Sequence, residues 1–506
     1  MRIIDFNLRN FTARYLVSTL LISAFLCCFG HAMPSDYYKV EDIGLPKDIA
    51  PEIGGLAFNS KGELVVLLRR HGILIGTPTN NPNSVKWRTF SDMSMHNPMG
   101  LLLESDHSML VPQMAELTRI VDTNKDGVAD TYENVSSAFG LSGNYHETTG
   151  GPVPDGRGNV FLAVGTASHN GPVFKHTQGQ FSAIGRRGRN YSAVEYRGWV
   201  VKITPEGELL PWASGFRANN GIALRTDDSL WVTDNQGDWR GTSPIYHVKK
   251  GGFYGHPSSL VWDENWKQGD PLKYPIEKLD KMRTRAAVLL PQGEMCNSPA
   301  EPIFDINNGR FGPFHDQMFV GDIAGRRILR VMLEKVNGEY QGACVKFIEN
   351  SGLRGGNNRF VWSPDGASLY VGQTYRGWGR PEEGLQRITF QGKNPFETQS
   401  INLTKKGFKL KFTQKVDAKT FTNTNNYQVE SFHYDYGHKY GSPKRDVKPI
   451  NVERVEMVGN GDAIQLDLNQ LEAEKIYMIK MTNMNSLSGQ PLLHATIFYT
   501  CNHLRK

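Results

Sequence analysis

Along most of the chain, short apolar runs alternate with polar turns at a spacing too tight for helices. One phrase recurs: a small residue, a short apolar run, a turn of Gly, Asp, Asn or Ser, then a second apolar run. Residues 55–66 (Gly-Leu-Ala-Phe-Asn-Ser-Lys-Gly-Glu-Leu-Val-Val) state it fully. Residues 100–111, 151–162, 221–232 and 360–371 repeat it, with a looser copy at 314–320. Each copy reads as two strands joined by a tight turn. A lone hairpin cannot bury both faces, so the copies must pack radially or stack. Their spacing of about 45 to 95 residues suits four-stranded blades with long insertions. No helical periodicity of useful length interrupts them. The expectation is an all-β protein with a six-bladed β-propeller over residues 36–394. Tandem β-sandwiches are the alternative.

The pattern changes near Asn394-Pro395. Beyond it, residues 408–412 (Phe-Lys-Leu-Lys-Phe), 464–468 (Ile-Gln-Leu-Asp-Leu) and 476–481 alternate apolar and polar positions, as half-buried antiparallel strands do. Residues 397–500 therefore read as a small immunoglobulin-like β-sandwich. No catalytic constellation lies within them, so they read as a packing or docking module.

The N-terminus carries Arg2, Arg9 and Arg14, an apolar run over 15–29, and then Gly30-His31-Ala32. A basic start, a short apolar core and small residues at the end describe a secretory signal over residues 1–32. The apolar run falls short of the roughly 20 residues that span a bilayer. The expected location is periplasmic or secreted, with no stable membrane span after cleavage. Cleavage would leave Cys296, Cys344 and Cys501, an odd number for an oxidising compartment. Cys296 with Cys344 is the preferred pair and Cys501 the free thiol. No Cys-x-x-Cys-His is present, so covalent haem is not encoded.

Composition agrees with a turn-rich β protein, because 52 Gly and 26 Pro punctuate short strands better than they serve helices. A net charge of +6 is mild for 506 residues, and nucleic acid is not an expected partner. Anionic small molecules remain open.

One acidic loop stands out. Asp122, Asn124, Asp126, Val128, Asp130 and Glu133 fall at loop positions 1, 3, 5, 7, 9 and 12, with Gly127 at position 6. Calcium takes six or seven hard oxygens around such a turn, so the loop is a candidate structural Ca2+ site. An Asp/Asn-rich surface turn is the alternative.

A second cluster runs Gly215-Phe216-Arg217-Ala218-Asn219-Asn220-Gly221, continues through Trp231-Val-Thr-Asp234-Asn235-Gln236-Gly237, and ends in Gly251-Gly252-Phe253-Tyr254-Gly255-His256-Pro257. It resembles the soluble quinoprotein glucose/sorbosone dehydrogenase family, whose members show Gly-x-Arg-Asn-Pro-x-Gly, an Asx/Glx-Gly turn and Gly-Gly-x-Tyr-Gly-x-Pro. The resemblance implies a six-bladed propeller holding pyrroloquinoline quinone (PQQ) and calcium on its top face. A second likeness is to bacterial exported proteins of the "membrane-bound dehydrogenase" type. It rests on Tyr145-His146-Glu147, residues 293–299, Gly372-Gln373, Arg376 and Trp378-Gly379, and it covers nearly all of residues 36–500.

The resemblance implies that His146 is the general base, taking the proton of a sugar or other alcohol while hydride passes to the quinone. It places Arg217 on the cofactor's carboxylates. Asn219, Asn235 and Gln236 fall where the family's loops approach cofactor and calcium, and His96 falls where the family puts a polar residue. Arg326, Arg359 and Arg376 are the further candidate clamps. Two positions depart from the pattern: Ala218 replaces an asparagine, and Ala324 stands where the family carries a lysine. The implied activity is an exported PQQ-dependent oxidation of a sugar or alcohol, with an electron-acceptor protein as a further partner. The alternatives are a non-catalytic carbohydrate-binding or assembly propeller, and a calcium-dependent hydrolase or lactonase.

Overall fold

The structure is a computed structural model that describes residues 32–506 apart from 187, 376 and 378–380. The expected signal segment thus lies almost wholly outside the described residues, as do Arg376, Trp378 and Gly379. Among the described residues no helix is long and apolar enough to cross a membrane.

Each full copy of the recurrent phrase forms an antiparallel hairpin, the loose copy at 314–320 supplies the turn and second strand of another, and each hairpin grows into a four-stranded unit. Blade 1 comprises Ile53–Phe58, Leu64–Leu68, Gly72–Gly76 and Trp87–Ser91. Blade 2 comprises Leu102–Ser105, Ser108–Pro112, Leu117–Val121 and Thr131–Ser136. Blade 3 comprises Thr149–Pro154, Val160–Val164, Trp199–Ile203 and Leu209–Ser214. Blade 4 comprises Gly221–Leu224, Leu230–Thr233, Ser243–Val248 and Val288–Leu290. Blade 5 comprises Pro299–Phe304, Met318–Asp322, Arg327–Val336 and Glu339–Glu349. Blade 6 takes Asn357–Trp362, Ser368–Gln373 and Gly384–Phe390 from late in the chain and its outer strand, Tyr38–Asp42, from the beginning. That last pairing ties the two ends of the ring together.

The turns explain why these hairpins form. Asp155 accepts hydrogen bonds from the amides of Arg157 and Asn159 at 2.9 and 3.1 Å. Asp365 accepts from Ala367 N at 3.0 Å in the same way. These are Asx turns, in which a short side chain completes the reversal.

The glycine that opens four of the phrases has a packing cause. The first strands of the blades surround a common axis, and backbone meets backbone there. A Cβ on Gly100, whose φ is +148°, would lie 1.4 Å from Gly151 O, and one on Gly221 would lie 2.3 Å from Ala300 O. Only glycine permits that approach.

The apolar interior is correspondingly divided. Val65, Leu67 and Ile75 of blade 1 pack on Met109, Val111 and Ile120 of blade 2. Equivalent clusters fill the seams from blade 2 to 3, 3 to 4, 4 to 5, 5 to 6, and 6 back to 1. Each blade buries both faces against its neighbours, which is what a lone hairpin cannot do.

The C-terminal part does not stand apart as the sequence suggested. One of its sheets orders as Thr398–Leu403, Gly407–Phe412, Ala463–Leu468 and Val452–Val458. The other continues blade 5: Thr496–Cys501 pairs with Glu339–Glu349, matching Gly342 to Thr500 and Cys344 to Phe498. Lys475–Met481, Tyr427–His433 and Arg445–Ile450 follow, giving one eight-stranded sheet. Met332, Val336, Ala343 and Val345 of blade 5 enter the same core as Phe408, Ile464, Ile479 and Tyr499.

The expected Cys296–Cys344 disulfide is not formed. All three described cysteines are buried free thiols, and burial raises the pKa of each. Cys296 and Cys344 belong to the apolar seam between blades 4 and 5, where they pack as small hydrophobic groups.

Candidate functional site

In an antiparallel four-stranded blade, the link between strands two and three and the link to the next blade emerge at the same end. His96, His146, Arg217 and Asn219 lie on links between blades. Asn235, Gln236 and Arg326 lie on links between second and third strands. All therefore belong to one end, the top face. The acidic loop joins the third and fourth strands of blade 2 and lies at the opposite end.

His146 sits half-buried on the link from blade 2 to blade 3. Its Nδ1 lies 3.0 Å from Thr166 O and 3.4 Å from Asn190 Nδ2. A carbonyl only accepts, so Nδ1 carries a proton, and in the neutral imidazole the lone pair is on Nε2. Asn144 fixes the loop: its Nδ2 donates to Ser168 O at 2.8 Å and to Gly171 O and Pro172 O at 3.1 Å. The next residue, Glu147, is fully buried and accepts from Ser142 N and Oγ at 2.8 Å each. Burial raises the Glu147 pKa against the opposing charge of Arg197. Arg197 donates to Gly140 O at 2.7 Å and Glu147 O at 2.9 Å, and burial lowers its pKa to about 10.

The glycine-rich run of blade 4 is organised by two buried aspartates. Asp234 accepts from Arg217 N at 2.9 Å, Ala218 N at 2.7 Å, Asn235 N at 2.8 Å and Arg240 Nε at 3.2 Å. Asp238 takes Arg217 Nε at 2.8 Å, together with the amides of Arg189 at 3.1 Å and Asn190 at 3.0 Å. Burial alone would raise the Asp238 pKa, but His256 and Arg217 hold it far below the usual carboxylate range. Asp238 thus joins Arg217 to the segment that touches His146. Among the described residues, Asn190 and Asn219 each keep a buried side-chain oxygen without a hydrogen-bond partner, as does Asn235. Such atoms are costly to bury.

The other nominated residues serve differently. Arg359 is buried on the axis, where it donates to Met99 O at 2.8 Å, Asn220 O at 3.2 Å and Asn358 O at 2.9 Å. It plugs the channel by linking blades 2, 4 and 6. Arg326 forms a two-pronged pair with Glu382. Gln236 donates to Gly241 O at 3.1 Å. His96 is exposed, its amide bound to Gln113 at 2.6 Å, and burial of its ring with the charge of Arg197 lowers its pKa.

PQQ carries three carboxylates, so a site for it needs several uncommitted cations. Arg359 is committed to backbone carbonyls, Arg326 to Glu382 and Arg217 Nε to Asp238, while Ala324 supplies nothing. Among the described residues, those nominated do not fit as a tricarboxylate clamp.

The calcium ligand set is not assembled either. Asp122 faces His107 Nδ1 at 3.0 Å and accepts from Asp126 N and Gly127 N. Asp130 turns to Thr123 and Thr131. Glu133 sits in a strand facing Arg119 at 3.5 Å. Among the described residues no group of three or more His, Cys, Asp or Glu is arranged to hold a metal ion. The loop's carboxylates close its own turns instead.

Sequence reasoning passed over Asp238, Asn190 and Tyr440. The Asp-Trp-Arg following Gly237 was a local signal for the first. Tyr440 gave none, since it belongs to the C-terminal part. The segment around it docks on blade 4 through Gly437 O to Trp239 N at 2.8 Å and Gly441 N to Gly237 O at 2.9 Å. Tyr440 is 54% exposed and lies 5.3 Å from the Arg217 guanidinium and 4.8 Å from that of Arg189.

No protein-family model matches the chain, and no curated protein does. Solved structures do. A glucose dehydrogenase-type oxidoreductase from Thermus thermophilus is 17% identical, with a TM-score of 0.46 over 69% of this chain and 99% of that one. The PQQ domain of pyranose dehydrogenase from Coprinopsis cinerea is 14% identical, with a TM-score of 0.48 over 72% and 99%. The PQQ-bound aldose sugar dehydrogenase from Streptomyces coelicolor is 15% identical, with a TM-score of 0.45 over 70% and 98%. The likeness is distant, and the six-bladed closure rests on this chain's own strand order and seams.

Proposed function

We propose that the chain is exported, binds a sugar or other polyol on the top face of its propeller, and uses His146 to accept the proton of one hydroxyl. The observation that carries this reading is the contact of His146 Nδ1 with Thr166 O, which leaves the lone pair on Nε2. Tyr145 stands edge-on to His146 at 5.9 Å and is 48% exposed, a surface on which sugar C–H groups pack. The unpartnered oxygens of Asn190 and Asn219 suit hydroxyl donors. The C-terminal sheets, read as an immunoglobulin-like module, steady the rim through the Tyr440 segment.

Oxidation is the catalytic form of this reading, with a redox cofactor supplying hydride acceptance. A binding-only form is favoured by the commitment of Arg326 and Arg359 and by Ala324. The experiment adds PQQ and calcium to the purified chain, titrates PQQ by calorimetry, and follows dye reduction across a sugar panel whose binding is titrated in parallel. Sugar-dependent reduction that falls by about two to four orders of magnitude in His146→Ala supports oxidation. Sugar binding with no uptake of PQQ supports the binding form. Absence of binding to every sugar overturns the proposal.

A further inference from the structure

The link between the second and third strands of blade 3 carries a charge pattern that the sugar reading leaves unexplained. Residues 165–198 include Lys175, Arg186, Arg187, Arg189 and Arg197 together with His169 and His176, against a single carboxylate, Glu195, which accepts from Gln180 N at 3.2 Å. Among the described residues Lys175, Arg186 and Arg189 form no ion pair and lie instead against aromatic rings. Lys175 and Arg186 stand 5.8 and 5.3 Å from Phe181, Arg186 stands 5.1 Å from Tyr191, and Arg189 stands 4.8 Å from Tyr440. Arginines elsewhere on the top face are matched, as Arg217 with Asp238, Arg240 with Asp234 and Arg326 with Glu382.

This surplus charge is held beside His146. Asn190 contacts the imidazole, and the amides of Arg189 and Asn190 are clamped by Asp238. Gln178 pins the link to neighbouring blades by donating to Ala115 O at 2.8 Å, Ser137 O at 2.9 Å and Phe139 O at 2.6 Å. The nearby carboxylates, Glu147, Asp234 and Asp238, are buried and hydrogen-bonded, so none neutralises Arg189. A face built for neutral sugars gains nothing from unmatched guanidinium groups, whereas carboxylate and sulfate pair with them directly.

We propose that the ligand of this site is an acidic saccharide, carboxylated or sulfated, whose anionic groups meet Arg189 and its neighbours while a hydroxyl reaches His146. The inference rests on the sugar reading and names its substrate class. Tyr440 and Arg189 together form the recognition rim, a π face backed by a cation.

The test is calorimetric titration with trigalacturonate, a sulfated galactan trisaccharide and neutral galactotriose, on the full chain and on Arg189→Gln. One acidic probe is expected to bind at least about ten-fold tighter than the neutral one. That preference should shrink toward unity near about 0.5 M salt, where the Debye length falls to a few ångströms. Arg189→Gln should lower the preference roughly three-fold or more. The carboxylate and sulfate arms distinguish the two anionic sources. Equal or tighter binding of galactotriose overturns the acidic class and leaves the sugar reading standing. Failure of all three probes overturns the inference, while the sugar reading is judged on its own panel. Salt dependence of the unaltered chain keeps the inference falsifiable even if the variant misfolds.

Discussion

Replacing Arg359 by Met tests whether this arginine is an axial plug or a ligand clamp. The guanidinium makes contacts of 2.8 to 3.2 Å with Met99 O, Asn220 O, Asn358 O and Asn358 Oδ1. Met fills much of the volume but donates nothing, so carbonyls from three blades lose their donor on an axis where little else reaches them. Glu301 also loses the charge that offsets its desolvation. Losing a charged donor and leaving such groups behind costs about 2 to 4 kcal/mol, well below a simple sum because the contacts are not independent. Urea unfolding should show that loss as a lower midpoint at unchanged slope.

The pH dependence has a definite sign. Burial already raises the Glu301 pKa, and removal of Arg359 raises it further. The neutral carboxyl's contribution is present below the unfolded value of about 4.3 and disappears as pH climbs through the folded one. The deficit of Arg359→Met should therefore grow as pH rises above the unfolded value of about 4.3, and adding Glu301→Gln should recover part of it. A loss below about 1 kcal/mol, or one independent of pH, would refute the plug. A clamp predicts unchanged stability and weakened ligand binding.

Two further outcomes follow from the blades. Gly221→Ala drives a Cβ to 2.3 Å from Ala300 O and should cost about 1 to 3 kcal/mol. Gly338→Ala meets nothing within 4 Å at a φ of +86° and should cost about 1 kcal/mol, so equal losses in urea would contradict the blade-contact explanation. Burial opposes ionisation of Asp155, yet Lys202 at 2.8 Å and the turn's donors lower its pKa to about 2. That stability is present above the unfolded value near 4 and is lost as pH falls toward 2, so Lys202→Met should flatten the change in melting temperature across that window.

The propeller was legible because each hairpin repeats the same physical demands. An opening glycine marks four of the copies, and apolar strands on either side of a polar turn mark all but the loose one over 314–320, which keeps only its turn and second strand. Site chemistry left weaker marks. Arg217 and His146 fall at one end of the propeller, as the motif implied, but their contacts Asp238 and Asn190 come from distant turns. Arg359 and Arg326 were recognisable as arginines without any sign that one faces carbonyls on the axis and the other Glu382. The acidic loop has calcium spacing, yet its turn is closed by its own hydrogen bonds and its last carboxylate lies in a strand. The fusion of the C-terminal sheet to blade 5 could not be read from alternation, which is the same whether a strand's edge partner lies within its own domain or outside it.

The protonation of His146 bears most directly on the proposed site. Its imidazole nitrogens can be assigned in a 15N spectrum by comparison with His146→Gln and followed during a sugar titration. The geometry calls for a proton on Nδ1, a lone pair on Nε2, and a shift of the Nε2 resonance as the sugar saturates. A proton resident on Nε2, or an Nε2 resonance that stays fixed while sugar binds, would contradict His146 as the hydroxyl-proton acceptor.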